Sequence, residues 1–196
     1  MKLKFLRLYN SYIVINKIYF HKMKLDLQPN QLKDEIVTLV PLQESDFDRL
    51  FEVASDPMVW EQHPNPNRYK KEDFRKYFEG AILSKGAFIV LDSQTQEVIG
   101  CSRFYDFNAR TNSIKIGYTF IGTKFWGKNF NKNMKSLMIN HAFEKFGNIL
   151  FDVGANNIRS QRAISKIGAT KIGEQEIEYY GEESKLNYIY QISKKN

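Results

Sequence analysis

The heptapeptide Lys124-Phe125-Trp126-Gly127-Lys128-Asn129-Phe130 joins a run that is typical of a β-strand to a run that is typical of a helix. The run before it, 113–121, is apolar and rich in β-branched and aromatic residues, and the run after it, 131–146, is helical in pattern. A strand that feeds a helix through a turn at Gly127 leaves free backbone N–H groups at the helix start. Because these donors and the helix dipole attract anions, the heptapeptide predicts a phosphate-bearing ligand.

Three lysines, Lys124, Lys128 and Lys132, place positive charge on or beside this junction. The pattern Gly-x-x-x-x-Gly-Lys-Ser/Thr is absent from the sequence, which excludes a nucleotide triphosphatase loop. Gly-x-Gly-x-x-Gly is absent too, and a dinucleotide-binding fold needs more parallel βαβ units than this chain provides. The alternative is a strand-to-helix turn in which Gly127 serves only the backbone geometry.

The composition is that of a soluble protein, with 42% hydrophobic and 26% charged residues, and 196 residues suit one ordinary domain. Cys101 is the only cysteine, which excludes an intrachain disulfide and a cysteine-based metal cluster and fits a reducing, cytoplasmic setting. The three histidines are scattered without the spacing of metal ligands, so we predict no metal site.

The net charge of +7 is concentrated at the N-terminus. Residues 1–24 hold six of the 29 basic residues and none of the 22 acidic ones, so residues 25–196 are nearly neutral. We therefore predict no nucleic-acid-binding surface on the fold, the alternative being nucleic-acid association through the basic segment. This segment is too short and too polar to span a bilayer and lacks a signal-peptide cleavage site, so we predict no membrane partner. We interpret 1–24 as an extension, with Met23 as an alternative start, and 25–196 as one domain.

Hydrophobic periodicity predicts the element order β-α-α-β-β-β-α-β-α-β-β. This order indicates an α+β fold with one mixed, mostly antiparallel sheet of about seven strands and four helices. The strands are expected at 36–42, 87–92, 98–105, 113–121, 149–153, 171–180 and 185–192, and the helices at 45–54, 74–82, 131–146 and 157–167. Ser45-x-x-Asp48 is similar to a capping box, Gly86 is expected to end the second helix, and the last hairpin is expected to turn near Gly181.

A second group of motifs lies downstream, Asn157-Ile158-Arg159-Ser160 followed by Lys166-Ile167-Gly168-Ala169. Asn157 is well placed to cap its helix, and Ser160 falls in the first turn. In this order and spacing, these motifs and the junction resemble the GNAT superfamily of acyl-CoA-dependent N-acetyltransferases over residues 36–192. The branch of the ribosomal-protein N-terminal acetyltransferases is the most similar, through 116–121 and 131–144 as well.

The family pattern at the junction is Gln/Arg-x-x-Gly-x-Gly/Ala, and this chain keeps Gly127 while Lys124 and Asn129 replace the first and last positions. The lysine keeps the positive charge. In the family, glycine at the last position lets the backbone approach the pyrophosphate closely. Asn129 is a departure, although asparagine tolerates left-handed conformations better than most residues.

The resemblance implies transfer of an acetyl group from acetyl-CoA to a primary amine, which is a protein N-terminus, an amino acid or another small amine. The amine attacks the thioester directly, without a covalent enzyme intermediate. The alternative function is an acyl-CoA-binding GNAT module with little or no turnover. The branch also makes a homodimer an expectation, although the sequence itself does not show one.

The resemblance further implies roles for individual residues. Ile164 stands where many relatives have a tyrosine acid, so we expect Ser160 to protonate the leaving thiolate and Asn157 to bond the pantetheine amide. A mere capping hydroxyl is an equally open interpretation of Ser160. The predicted cofactor-binding residues are Phe120, Ile121, Lys124, Trp126, Gly127, Lys128, Asn129, Phe130, Asn131, Asn157 and Ser160.

The fold of the family places the pantetheine arm in a gap between the strands 113–121 and 149–153, with a backbone N–H near Phe120 or Ile121 bonding the oxyanion. Lys115 stands where several relatives have a glutamate base. The general base is therefore open, with a water chain ending at Glu61, His63 or Asp106 as the candidate route. The predicted acceptor-binding residues are Trp60, His63, Tyr179 and Tyr188.

Overall fold

A single eight-stranded sheet organises the protein in the computed structural model, which describes residues 26–178 and 183–195. The strands lie in the order β1-β2-β3-β4-β5-β6-β8-β7. Their bounds are β1 Leu32–Lys33, β2 Val37–Pro41, β3 Ala87–Asp92, β4 Val98–Asn108, β5 Ser113–Ile121, β6 Asn148–Gly154, β7 Thr170–Glu178 and β8 Ser184–Ser193. Neighbouring strands are antiparallel except β5 and β6, which are parallel. The predicted N-terminal extension, Tyr179 and the turn near Gly181 lie outside the described residues.

Four helices cover the two faces of the sheet: α1 Phe47–Ala54, α2 Lys71–Ser84, α3 Phe130–Ala142 and α4 Ile158–Lys166. The predicted α+β class and the order of the helices and longer strands are confirmed. The eighth strand, β1, was not predicted, because two residues are too few to show an alternating pattern.

The ends of the first two helices differ from the prediction. The backbone N–H of Gln43 donates to the Asp46 carboxylate at 2.8 Å, so the capping box precedes the predicted one at Ser45 and Asp48. The chain enters a 3-10 turn before α1, and this turn moves the cap toward the N-terminus. Lys85, with φ of 53°, takes the left-handed position after α2 that was expected of Gly86. Gly86 instead allows a close strand contact, since a Cβ there would lie 2.4 Å from the Phe104 carbonyl oxygen.

Each face of the sheet has its own apolar core. On one face α3 contributes Met134, Met138 and Ala142, which are fully buried and follow one another at a spacing of four residues. On the other face the core is aromatic, and Trp60, Phe74, Tyr77 and Phe120 pack ring against ring with centroids 5.0 to 6.1 Å apart.

The parallel strands β5 and β6 pair over only three residues each and then separate. Their last paired residues are Lys115 and Leu150, whereas β6 stays paired with β8 as far as Gly154. A bulge in β5 accompanies the separation, since Tyr118 and Thr119 together oppose one residue of β4. The gap between these two strands, which the family resemblance implied, is therefore present.

Gly100 tests how tightly β4 packs against the end of β5. A Cβ on this residue would lie 2.0 Å from the Phe120 carbonyl oxygen, so we expect Gly100→Ala to lower the free energy of unfolding by roughly 2–3 kcal/mol, as overpacking does. The matched control is Gly173→Ala in β7, where the nearest atom would be 4.0 Å away and little loss is expected. Urea unfolding measures both variants, and equal losses would contradict the close packing at Gly100.

Candidate functional site

A cavity of about 610 Å³ opens where β5 and β6 separate. Its walls are the end of β5, the turn before α3, the first turns of α3 and α4, the end of β6 and the loop 59–64. The loop lies directly against the strand end, since a Cβ on Gly154 would meet Pro64 at 2.5 Å. Six parts of the structure thus converge on one space that is large enough for a small-molecule ligand.

Most of the predicted site residues line this cavity: Trp60, His63, Phe120, Ile121, Trp126, Gly127, Asn129, Phe130, Asn131, Asn157 and Ser160. Three predicted residues are not among the lining residues. Lys124 is ion-paired with Glu97, Lys128 lies outside the lining, and Tyr188 packs beneath the Lys171 ammonium, 3.3 Å from its ring centroid.

The start of α3 is an uncapped helix terminus that faces the cavity. No side chain caps it, and its first internal backbone bond joins the Asn133 N–H to the Asn129 carbonyl at 3.0 Å. In the described part of the chain, the backbone N–H groups of residues 127 and 129–132 have no hydrogen-bond acceptor. These free donors and the positive end of the helix dipole form a site for an anion.

The backbone before α3 is in a left-handed conformation at two positions. Gly127 has φ of 77° and Asn129 has φ of 66°, so asparagine adopts the conformation for which its tolerance was noted. A Cβ on Gly127 would have no atom within 4 Å, which leaves open space beside the free N–H groups. Lys132, Arg162 and Lys166 add positive charge to the cavity wall, and of these only Lys132 was associated with the junction by the sequence.

Trp126 fixes the turn between β5 and α3. Its indole N–H donates to the Ile121 carbonyl at 2.8 Å, and the Arg159 guanidinium of α4 lies 3.9 Å from its ring centroid. The turn is therefore held against both the end of β5 and the start of α4.

Asn157 caps α4, as its position predicted. Its side-chain oxygen accepts a hydrogen bond from the Ser160 backbone N–H at 3.0 Å. Both residues also line the cavity, so the capping geometry holds the Asn157 amide and the first turn of α4 in place on its wall.

Tyr118 marks the bulge in β5 and has φ of 50°, which is costly for a bulky residue. Its carbonyl accepts a hydrogen bond from the Tyr77 hydroxyl at 2.5 Å, and the Arg103 guanidinium stacks on its ring at 3.3 Å. Tyr105 packs edge-on against the same ring. These contacts hold the strained conformation at the part of β5 that is no longer paired with β6.

The candidate proton acceptors named from the sequence have different surroundings. Glu61 and Asp106 do not line the cavity, and the Asp106 side chain is 48% exposed and ion-paired with Lys115. His63 does line it, with its Nδ1 accepting from the Asn65 N–H at 2.9 Å. Burial, reinforced by the charge of Arg68, holds the pKa of His63 well below its usual range, so the imidazole is neutral at neutral pH.

Asp152 is a cavity residue that the sequence analysis missed. Its side chain is 2% exposed, and one oxygen, Oδ2, accepts from the Lys115 ammonium at 2.7 Å and from the Tyr105 hydroxyl at 3.0 Å. The other oxygen, Oδ1, has no hydrogen-bond partner among the described residues. Burial acts to lower the pKa of Lys115, but the carboxylates of Asp152 and Asp106 raise it above its ordinary value. A carboxylate inside an apolar strand was the available signal in the sequence.

Lys135 is a second cavity residue that was missed. It is 3% exposed, and its ammonium donates to the Thr119 hydroxyl at 2.6 Å and to the Ser102 hydroxyl at 3.3 Å. No carboxylate of the described residues forms an ion pair with it. Burial lowers the pKa of Lys135 to about 7. The cavity therefore contains an amine that is partly neutral near pH 7.

Comparison with known proteins identifies a family that this chain matches. Residues 37–170 match the family described as the acetyltransferase (GNAT) domain. A solved structure described as an acetyltransferase is 25% identical, with a TM-score of 0.71 over 84% of this chain and 87% of that one. A search of the curated proteins found no match.

Two more distant structures share the fold. A ribosomal-protein-serine acetyltransferase from Vibrio cholerae, so described, is 16% identical, with a TM-score of 0.70 over 85% of this chain and 99% of that one. The Microcin C7 self-immunity acetyltransferase MccE, solved with acetyl-CoA and AMP, is also 16% identical, with a TM-score of 0.68 over 86% and 98%.

No helix among the described residues is long and apolar enough to cross a membrane. No group of three or more His, Cys, Asp or Glu side chains in 26–178 and 183–195 is arranged to hold a metal ion.

Replacement of Lys135 by methionine tests its burial. Between pH values of about 7 and 10.5 the unfolded chain binds a proton that the folded chain has released, so wild-type stability rises with pH across this window. Lys135→Met removes the cost of burying the charge. We expect its gain in unfolding free energy to be on the order of a few kcal/mol at or below pH 7 and to shrink as the pH rises toward 10.5.

Urea titrations at about pH 6.5, 8 and 9.5 measure this dependence. The control is Lys132→Met, which replaces an exposed lysine of the same helix and is expected to shift stability equally at each pH. If the gain in unfolding free energy for Lys135→Met were the same at all three pH values, the pKa of Lys135 would not be lowered in the folded protein, which would contradict the prediction.

Proposed function

This chain belongs to the acetyltransferase (GNAT) family, and we propose that it transfers the acetyl group of acetyl-CoA to a primary amine. The observation that carries this proposal is the uncapped start of α3 beside the gap between β5 and β6. An anion site next to a cleft between strands suits a ligand that has a diphosphate at one end and a long, narrow arm.

The diphosphate of the cofactor would bond the free N–H groups of residues 127 and 129–131. The basic residues Lys132, Arg162 and Lys166 on the cavity wall favour the same negative charge. The side-chain oxygen of Asn131 is buried without a hydrogen-bond partner among the residues that the structure describes, and it suits a ligand donor such as an amide N–H. The ammonium of Lys124 is bound to Glu97, so we assign it no bond to the diphosphate. Lys124 contributes to the anion site only as part of the turn.

The arm of the cofactor would lie in the gap and bring the thioester to the end of β5. There the backbone N–H groups near Phe120 and Ile121 are the proposed donors to the oxyanion. Ser160 of α4 lines the same cavity, and we assign its hydroxyl to the protonation of the leaving thiolate, directly or through water. Asn157 holds the first turn of α4, where it would bond the pantetheine amide.

The acceptor amine would approach from the side of the loop 59–64, where Trp60 and His63 line the cavity. Trp60 is 1% exposed, and its indole N–H donates to the Ala54 carbonyl at 2.7 Å, so it presents a fixed apolar surface. The proposed acceptors are a protein N-terminus, an amino acid or a small amine. A single domain over 25–196, a cytoplasmic location and a homodimer complete this proposal.

An assay of acetyl-CoA with a panel of primary amines tests the function. We expect release of free CoA thiol that depends on the amine, together with a product heavier by one acetyl group in mass spectrometry. The panel contains peptides with free N-termini, amino acids and small amines. Tight binding of acetyl-CoA without turnover on any of them would favour an acyl-CoA-binding module.

A carboxylate at position 127 tests where the diphosphate binds. We expect Gly127→Asp to weaken CoA binding roughly tenfold or more in calorimetry, because a negative charge would face the anion site. The matched control is Gly168→Asp, since Gly168 also has a positive φ, 91°, but does not line the cavity. Backbone strain is then common to both variants, and equal CoA affinities would place the diphosphate elsewhere.

A further inference from the structure

We propose that Asp152 binds the attacking amine and accepts its proton, a role that rests on the proposed acetyl transfer. The two carboxylate oxygens of this residue are in different situations. Oδ2 is held by Lys115 at 2.7 Å and by Tyr105 at 3.0 Å, and Oδ1 is buried without a partner among the described residues. Leaving a buried acceptor unpaired is costly, so a ligand with an N–H group on the cavity side of Oδ1 would recover that cost.

The position of Asp152 in β6 places it on the acceptor side of the sheet. Its neighbours Phe151 and Val153 belong to the core that packs against α3, and successive side chains of a strand point to opposite faces. Asp152 instead bonds Tyr105, which packs against Tyr118, and Tyr118 belongs to the aromatic core around α2. The carboxylate therefore faces the region of the amine, across the gap from the proposed cofactor anion site.

The partners of Oδ2 position the carboxylate for this role. Lys115 is 16% exposed in its side chain and contacts both Asp152 and Asp106, so its charge is shared between two carboxylates. Tyr105 donates its hydroxyl to the same oxygen. Because Oδ2 already has both of its contacts, the orientation of the carboxylate is fixed. Oδ1 then remains available to bind an incoming ammonium.

Asp152 accepts the first of the two protons that the ammonium must lose. The amine binds as an ammonium against Asp152, which takes one N–H proton and leaves the nitrogen lone pair free for attack. The nitrogen attacks the carbonyl carbon, and the C=O electron pair moves to the oxygen as the N–C bond forms. When this tetrahedral intermediate collapses, the C–S bond breaks and its electron pair leaves with the sulfur, which takes a proton from Ser160. Ser160 regains a proton, directly or through water, from the second N–H of the nitrogen, and the proton on Asp152 passes to solvent before the next cycle. A carboxylate base favours amines of low pKa, so α-amino groups, at ~8, suit it better than lysine side chains, at ~10.4.

Several titratable groups surround Asp152 and enter any pH profile. They are Lys115 of β5, Tyr105 and Asp106 of β4, Tyr118 of β5 and His63 of the loop. His63 does not titrate in the neutral range, because burial holds its pKa well below the usual value. Lys135 of α3 also lines the cavity, and because burial lowers its pKa to about 7, its titration enters the profile as well.

The test compares Asp152→Asn with Asp106→Asn, whose side chain contacts the same lysine but lies outside the cavity lining. We expect Asp152→Asn to lower kcat about 10²- to 10⁴-fold. Asp106→Asn is expected to change kcat less than about twofold. The affinity for acetyl-CoA, from calorimetry, is expected to be similar in both variants and the wild type. Asp152→Asn is expected to lower the unfolding temperature, because it removes the buried charge that pairs with Lys115, so rates are compared at a temperature at which both variants are folded.

Three results would overturn the proposal. Equal rates in the two variants would leave Asp152 without a role in proton transfer. A loss of acetyl-CoA affinity in Asp152→Asn as large as its loss of rate would make the residue part of the cofactor site. A wild-type protein that acetylates no amine would remove the proposed function itself, whereas an active wild type with an equally active Asp152→Asn would remove only this inference.

Discussion

The early end of pairing between β5 and β6 is the constraint on which the rest of the structure depends. Two parallel strands that stop exchanging hydrogen bonds after Lys115 and Leu150 expose backbone groups inside the molecule. The bulge at Tyr118 lies in the separated part of β5, and the contacts of Tyr77 and Arg103 stabilise the strained backbone there. The gap is bounded by the starts of two helices, of which α4 is capped by Asn157 and α3 has no cap. A ligand that occupies the gap can thus use strand edges and helix donors together.

Buried polar groups that lack a hydrogen-bond or ion-pair partner in the described part of the chain lie along the same gap. Asn131 and Asp152 each have a buried oxygen with no partner among the described residues, and Lys135 has two hydroxyl partners and no ion pair. Protein interiors rarely leave such groups unmatched, because each one costs free energy that the rest of the fold must offset. In the same cavity, the basic residues Lys132, Arg162 and Lys166 lie on α3 and α4, whereas Asp152 lies on β6. This division matches a reaction between an anionic cofactor and a cationic amine.

Local sequence patterns predicted the elements well, because long apolar periodicities in β3, β4, β5 and α3 agree with their burial. The uncapped start of α3 was also predictable, since a glycine between strand and helix is a local signal. Tertiary contacts could not be predicted in the same way. Glu97 binds the Lys124 ammonium across 27 positions of sequence. Asp152 and Lys135 acquire their chemistry from Lys115, Tyr105, Thr119 and Ser102, which reach them only through sheet pairing and the bulge.

A crystal structure of the protein with coenzyme A would show where the cofactor binds. We expect diphosphate oxygens within hydrogen-bond distance of the backbone N–H groups of residues 127 and 129–131. We also expect the pantetheine arm between β5 and β6, with its sulfur beside the end of β5 near Phe120. A coenzyme A molecule bound elsewhere, or a gap that closes by pairing of the two strands, would contradict this placement.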